Sequence, residues 1–328
     1  MTKLEELISI IAGEKLYIQA HNYPDQDALA CAYALQYLLK VKGISADIIY
    51  KGEIDKLNTV SMVNVIGIEI KNLDEIGKMD KASQIILVDG QKGNANVVDF
   101  IGDEIACIDH HETTEKNETS SYRFSDIRSG IGACSSIIAQ YYIENSIEMP
   151  AKVATALLYG IKMDTNNLSR SVSDLDIDMF YYLFKKADRD NINEFDSCLL
   201  KMQDLKAYAD GINNLKVFDG MGIAKMEDDC PEAILGSMAD FILSLGEVTI
   251  SVIYSRRGGG IKYSVRSENK KINSAEMISK VLEGYGSGGG HSAMAAGFIP
   301  DIRNVRDAVY IGMIIEQRII DYTEERLI

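Results

Sequence analysis

The feature that most constrains the fold is a rhythm in the first half of the chain, where short apolar runs alternate with helical patterns. KLYIQA (15–20), ADIIY (46–50), SQIILVD (83–89) and EIACID (104–109) read as strands. Between the first two, DALACAYALQYLLKVK (27–42) carries apolar residues at helical spacing and stops at Gly43, a natural helix C-cap. Strand, loop, helix and strand in that order predict a mostly parallel sheet covered by helices. Residues 133–145, 150–161 and 174–187 continue as helices, the second with Pro150 at a favoured first-turn position.

A chain of 328 residues is long enough for two domains. The first is expected over 1–188. The polar, helix-compatible stretch 189–215 reads as a linker helix, and a smaller α+β domain follows over 216–328. In it, 222–227, 247–257 and 261–268 look like strands, the last two joined as a hairpin around Gly258-Gly259-Gly260. Segments 231–245 and 274–284 look helical, and no internal repeat is evident.

Composition narrows the function classes. With 46% apolar residues, 25% charged residues and four prolines, the chain has the make-up of a folded globular protein. No run approaches the ~20 apolar residues of a membrane span, and the acidic N-terminal stretch lacks a signal-peptide pattern, so a cytoplasmic location without membrane association is expected. Cys31, Cys107, Cys134, Cys198 and Cys230 are scattered and odd in number, which suggests neither a disulfide framework nor a structural zinc site. A formal charge of −15 argues against long nucleic acid as a partner, because that binding rests on many Lys and Arg contacts. A small polyanion would need local positive charge, which bound divalent cations supply.

The four histidines are confined to short polar segments and one glycine-rich turn: His21 in HNYPDQD, His110 and His111 in IDHHE, and His291 after GSGGG. Any one of them alone would pass for an ordinary core or surface residue; all four together do not. His21, Asp25 and Asp27 follow a strand directly, at the carboxyl end where open α/β sheets place ligands. Asp27 would also serve as a helix cap. Asp89 and Asp109 end two further strands at the same sheet edge, where a lone carboxylate is costly without a partner. A helical pattern delivers Asp164 into the polar loop of GIKMDTNN. His21, Asp25, Asp27, Asp89, His110 and Asp164 thus offer four carboxylates and two imidazoles, a donor set for two divalent cations. Two ions ~3.5–4 Å apart activate a water for in-line attack on phosphorus, and a shared carboxylate such as Asp89 would hold that spacing.

HNYPDQDA, ILVDG, IDHHE and GIKMDT, in this order, resemble the motifs of the DHH phosphoesterases, and YSVRS with GSGGGHSAMAAGF resembles their DHH-associated C-terminal domain. In size and domain pair the chain resembles the bifunctional nano-RNase and 3′-phosphoadenosine 5′-phosphate phosphatases. The resemblance implies one metal on His21, Asp25 and Asp89 and another on Asp27, Asp89, His110 and Asp164. Manganese is the first expectation, with cobalt or magnesium as alternatives. It further implies that His111 faces the scissile phosphate and that Asp109 orients a ligand histidine rather than binding metal. In the second domain Arg266, Gly288, Gly289, Gly290 and His291 would hold the rest of the substrate, the glycines preceding an apparent helix whose N-terminus suits a phosphate. Gln26 and Asn166-Asn167 stand where relatives often have glycine.

The expected substrate is a small nucleotide or a very short oligonucleotide, with linear dinucleotides included, and a homodimer remains open. A cyclic-dinucleotide phosphodiesterase and a family-II inorganic pyrophosphatase are the enzyme alternatives; Ser255-Arg256-Arg257 only partly echoes the latter's Ser-Arg-Lys-Lys motif. A RecJ-like exonuclease would be longer and more basic. A catalytically silent nucleotide sensor would have lost ligands such as Asp89 or His110, and both are present.

Overall fold

A computed structural model describes the chain except residues 14, 77, 78, 95, 114–121, 198, 199, 203, 303 and 328. The chain divides into two compact units, Met1–Leu199 and Leu200–Ile328.

The first unit begins with helix α1 (Lys3–Ser9), closed at its N-terminus by a reciprocal Thr2 and Glu5 capping box. It then winds β1 (Leu16–Gln19), α2 (Gln26–Val41), β2 (Asp47–Tyr50), α3 (Leu57–Ile66) and β3 (Ile70–Asn72). After β4 (Gln84–Val88), β5 (Asp103–Asp109) and β6 (Phe124–Ile127) come helices α4 (Cys134–Glu144), α5 (Ala151–Asp164), α6 (Asp174–Phe184) and α7 (Arg189–Ser197). The strand order is β3-β2-β1-β4-β5-β6, and every pairing is parallel. The chain builds outward from β1 through β3, then returns to lay β4 on the other side of β1. That reversal opens a crevice at the carboxyl ends of β1 and β4, where open α/β sheets bind ligands.

The central strands are buried on both faces, which is why they read as unbroken apolar runs. Leu16, Ile18, Ile86, Val88 and Ile108 point into the core shared with α2, α4 and α5. Tyr17, Ile49, Ile85, Leu87 and Cys107 point to the other face, together with Phe100. The four strands and the helices α2, α4, α5 and α6 match expectation to within a few residues. Pro150, however, stands at the N-cap of α5 rather than inside its first turn. Strands β3 and β6 and helices α1 and α3 had no reading in the sequence pattern; the two strands lie at the sheet edges and are only partly buried.

The second unit contains α8 (Asp204–Asn213), β7 (Lys216–Phe218), β8 (Met221–Lys225), α9 (Glu232–Leu243), β9 (Ile250–Arg257), β10 (Gly260–Ser267), α10 (Ser274–Val281), β11 (Ser287–Gly290), β12 (Met294–Ile299) and α11 (Val305–Leu327). Its sheet runs β11-β12-β10-β9-β8-β7, with β8 and β9 parallel and the other pairs antiparallel. Helices cover both faces, α9 on one and α10 with α11 on the other. Arg257 pairs with Gly260, so β9 and β10 are joined by Gly258 and Gly259 alone. Both have positive φ, 60° and 74°, the backbone that a tight two-residue hairpin demands.

Two expectations are corrected here. The single linker helix over 189–215 is two helices, α7 in the first unit and α8 in the second, with 198, 199 and 203 outside the described residues. Gly288, Gly289 and Gly290 do not precede a helix. They form edge strand β11 and pair with Gly297, Ala296 and Ala295 of β12. Glycine repeats mimic a turn in sequence, and only the neighbouring strand turns this one into a ladder. Cys31, Cys107, Cys134 and Cys230 are free and buried, and Cys198 is outside the described residues. Among the described residues no helix is long and apolar enough to cross a membrane.

Candidate metal centre

The first unit brings His21, Asp25, Asp27, Asp89, His110 and Asp164 together at the crevice beside β1 and β4. Asp25 is the N-cap of α2, accepting from the N–H groups of Asp27 (3.0 Å) and Ala28 (3.2 Å). The cap is therefore Asp25, not Asp27 as the sequence suggested. Asp27 lies in the first turn and reaches across to the start of α4, whose N-cap, Ala133, provides no side-chain acceptor. There it accepts from Cys134 N (2.7 Å) and Ser135 N (3.0 Å). The positive end of one helix thus holds a carboxylate carried by another. Gly160 of α5 makes room for this: a Cβ there would meet Ser135 Oγ at 2.3 Å and Asp27 Oδ1 at 2.7 Å.

Asp89 follows β4 with φ 54°, a left-handed conformation that Asp tolerates better than most residues. Its N–H donates to Ile108 O (3.0 Å), tying the turn to β5. Asp164 ends α5, and the next turn runs through Asn166, Asn167 and Leu168, all with positive φ. Asparagine is the side chain that best replaces glycine in that region, which accounts for Asn166 and Asn167 where glycine would be expected.

The imidazoles fall into two kinds. His21 and His110 each direct Nδ1 at a backbone carbonyl, Asn22 O (2.9 Å) and Ile131 O (3.0 Å). This turns Nε2 toward the carboxylates: His21 Nε2 lies 3.8 Å from Asp25 and 3.7 Å from Asp89, and His110 Nε2 lies 3.1 Å from Asp164 and 3.3 Å from Asp89. A carbonyl on one nitrogen with the other facing acidic groups is the arrangement of metal-ligating histidines. His111 differs, since its Nδ1 lies 2.8 Å from Asp109 Oδ1. The ring that Asp109 orients is therefore that of His111 and not of a ligand histidine as expected, because His21 and His110 are held by backbone carbonyls instead. Asp109 is fully buried and also accepts from His110 N (2.8 Å) and Gln91 Nε2 (2.8 Å).

The electrostatics show what the cluster lacks. Burial raises Asp27 well above the usual carboxylate range, and repulsion from Asp89 and Asp164 adds to it. Burial also raises Asp89, against the opposing pull of His110 and His111. Burial alone would push the imidazole of His21 down, but pairing with Asp25 and the charge of Asp89 lift it to about 9. His110 is raised in the same way by Asp164 and Asp89. The carboxylates draw protons onto their neighbours because the site holds excess negative charge. Asp109 goes the other way: burial would raise it, yet the charge of His111 holds it at about 2.

Divalent cations fit this arrangement. Potential ligand atoms of His21, Asp25 and Asp89 lie within 4.8 Å of one another, as do those of Asp27, His110 and Asp164. Asp89 Oδ1, on a residue 2% exposed, is buried without a well-formed hydrogen bond and faces His110 Nε2 at 3.3 Å. A cation between the two groups would meet that orphaned oxygen.

In the second unit, Arg266 of β10 is 8% exposed and donates to Asp240 Oδ1 (2.7 Å), Ser264 Oγ (3.1 Å) and its neighbour's carbonyl, Val265 O (3.0 Å). His291 lies in the turn from β11 to β12 and donates its N–H to Met294 O (2.7 Å). Met294 pairs with Arg266, so both residues stand at one end of the sheet. Two residues close to the metal cluster were missed from sequence: Gln91, two positions after Asp89, and Arg170, whose Nη2 donates to Asp164 O (3.3 Å). The polar residue so soon after ILVDG was the only signal for the first.

An open parallel sheet with a cluster of carboxylates and imidazoles able to hold cations at its switch point defines the class. Residues 15–161 match the DHH family, N-terminal domain, and residues 219–311 match the DHHA1 domain. The chain thus carries a DHH N-terminal domain followed by a DHHA1 domain. An uncharacterized protein of Methanocaldococcus jannaschii is 30% identical over 286 residues, 87% of this chain and 58% of that protein. A probable manganese-dependent inorganic pyrophosphatase of Streptococcus pyogenes is 26% identical over 57% of this chain and 60% of its own length. The chain therefore spans about three-fifths of the length of these curated relatives. The crystal structure of an exopolyphosphatase-related protein from Bacteroides fragilis shares the fold, with a TM-score of 0.80, 17% identity, and coverage of 99% of this chain and 98% of that one.

Proposed function

We propose that the chain is a cytoplasmic, metal-dependent hydrolase of phosphate esters in small nucleotides and short oligonucleotides, linear dinucleotides included. The observation that carries this reading is that Asp89 groups with His21 and Asp25 and lies 3.3 Å from His110, which groups in turn with Asp27 and Asp164, directly beside the Asp109–His111 pair. His21, Asp25 and Asp89 would hold one cation, and Asp27, Asp89, His110 and Asp164 the other. Bound there, divalent cations lower the pKa of water and neutralise charge on a phosphoryl group. The mixed carboxylate and imidazole set favours a transition metal over calcium or magnesium. The name of the S. pyogenes relative supports manganese.

His111 has a separate role. With Nδ1 directed at Asp109, its Nε2 is the nitrogen that meets substrate, either stabilising developing negative charge or protonating the leaving oxygen. In the second unit Arg266 and His291 would grip the distal phosphate or base. Arg266 would then exchange Asp240 for the substrate.

Pyrophosphate hydrolysis is the second reading, favoured by that same relative. A panel of short RNA, 3′-phosphoadenosine 5′-phosphate, linear and cyclic dinucleotides and pyrophosphate separates the two. Chelator-treated protein is expected to be inactive and to recover best with manganese or cobalt. Full activity after verified metal removal would refute the reading, and a preference for pyrophosphate over every ester would move it to the second.

A further inference from the structure

Gln91 is fully buried in the turn after β4, where an apolar side chain would fill the same space without polar atoms to satisfy. Its amide nitrogen donates twice, to Asp109 Oδ2 (2.8 Å) and to the main-chain carbonyl of His111 (3.0 Å). The other oxygen of Asp109 is already engaged by His110 N (2.8 Å) and faces His111 Nδ1 (2.8 Å). Each oxygen of this carboxylate therefore has its own donors, and its plane cannot rotate without breaking one of them. Gln91 ties down both the group that orients the ring of His111 and the backbone that carries it. Its own Oε1 is buried without a hydrogen bond, a cost that space filling alone would not justify.

The turn is shaped to bring the amide there. Left-handed Asp89 reverses the chain, and Gly90 passes where a Cβ would meet Val97 Cγ2 at 2.8 Å. Lys92 N then donates to Tyr122 OH (2.7 Å), anchoring the far side. One short segment thus provides the carboxylate that faces both His21 and His110 and, two residues later, the amide behind His111.

We propose that Gln91 is a positioning residue: its amide clamps Asp109 and the main chain of His111, so that His111 Nε2 keeps a fixed aim at the reacting phosphoryl group. This rests on the phosphoesterase reading for its kinetic consequence, but not for its structural one. The geometry of the clamp belongs to the protein alone.

Gln91→Met keeps the length and removes the donor, whereas Gln91→Asn keeps the donor and shortens its reach. Both are expected to lower kcat by about tenfold to a hundredfold, the usual effect of losing the group behind an oriented histidine, with little change in KM or bound manganese. In a His111→Ala background, Gln91→Met should cost nothing further, because two residues acting through one group do not add. NMR of the metal-free protein should show the His111 Nδ1 proton bound to Asp109 in the parent and exchanging in Gln91→Met. Equal losses in both backgrounds, loss of bound manganese in step with kcat, or unchanged kcat would each overturn the proposal. If Gln91→Met melts below the assay temperature, the same cycle with Gln91→Asn decides. A parent protein with manganese that hydrolyses no ester would sink the phosphoesterase reading instead, and the imidazole signal would still report whether Gln91 holds His111.

Discussion

The polar residues at the metal cluster and those at the Arg266 end of the second sheet are held in opposite ways. At the cluster, carboxylates from α2, β4 and α5 and imidazoles from the ends of β1 and β5 converge, and backbone groups fix nearly every one. Helix α4 holds Asp27, β5 holds Asp89, and carbonyls hold His21 and His110. What remains is excess negative charge, which raises His21 and His110 and which divalent cations would balance. At the second sheet, Arg266 already has an acidic partner in Asp240, whose side chain is half exposed, and its neighbouring glycines form an edge strand. A site matched in geometry but not in charge suits a cation. A site already neutralised must trade a partner to bind, which suits recognition better than chemistry.

The sharpest way to break this comparison is Asp89→Asn, which keeps the shape and removes the charge between the two ligand groups. Turnover should be almost abolished and bound manganese reduced, with the melting temperature of the metal-free protein unchanged or raised, because burial makes the Asp89 charge costlier than the pull of His110 and His111 repays. A variant that retains most of its activity under saturating manganese would show that Asp89 is not the shared ligand.

Gly160→Ala tests the same region through packing. The new methyl would press on Asp27 and Ser135, so a stability loss of about 1–3 kcal/mol is expected from overpacking, together with weaker manganese binding. Chemical denaturation and metal titration on one sample would check it. Parent-like values in both would show that α5 yields easily and that Asp27 is not held in place.

The smallest effect, and the most selective, belongs to the second region. Arg266→Ala or His291→Ala should weaken hydrolysis of dinucleotides by roughly tenfold to a hundredfold in kcat/KM, the worth of one charge-assisted hydrogen bond of about 1.5–3 kcal/mol. Hydrolysis of a small synthetic phosphodiester should be spared, because the ligand cluster lies in the other unit and stays complete. Kinetics on both substrates decide it, and equal losses would end the division of labour.

Much of the cluster was legible before any fold was known. Strands β1, β4 and β5 are buried on both faces, so they stand out as apolar runs, and a polar residue at the end of such a run marks the sheet edge. His21, Asp89 and Asp109 were found that way. Local pattern failed where a neighbour decides the outcome. Gly288–Gly290 look like a turn before a helix until β12 pairs with them, and β3 and β6 lack apolar runs because they are edge strands. The stretch 189–215 reads as one helix because nothing in its composition shows that its halves pack in different units.

By itself, then, the sequence determined the mostly parallel first domain, the carboxylates and imidazoles of the cluster and their place at the strand ends, because strand burial and donor chemistry are written in short windows. Tertiary structure alone decided which atom serves which purpose. Asp25 rather than Asp27 caps α2 because α4, more than a hundred residues on, claims Asp27. Arg266 is neutralised because Asp240 on another element reaches it. Gln91 stands behind His111 because a left-handed turn at Asp89 folds it back. These are contacts between residues distant in the chain, and no local window carries the distances that set them.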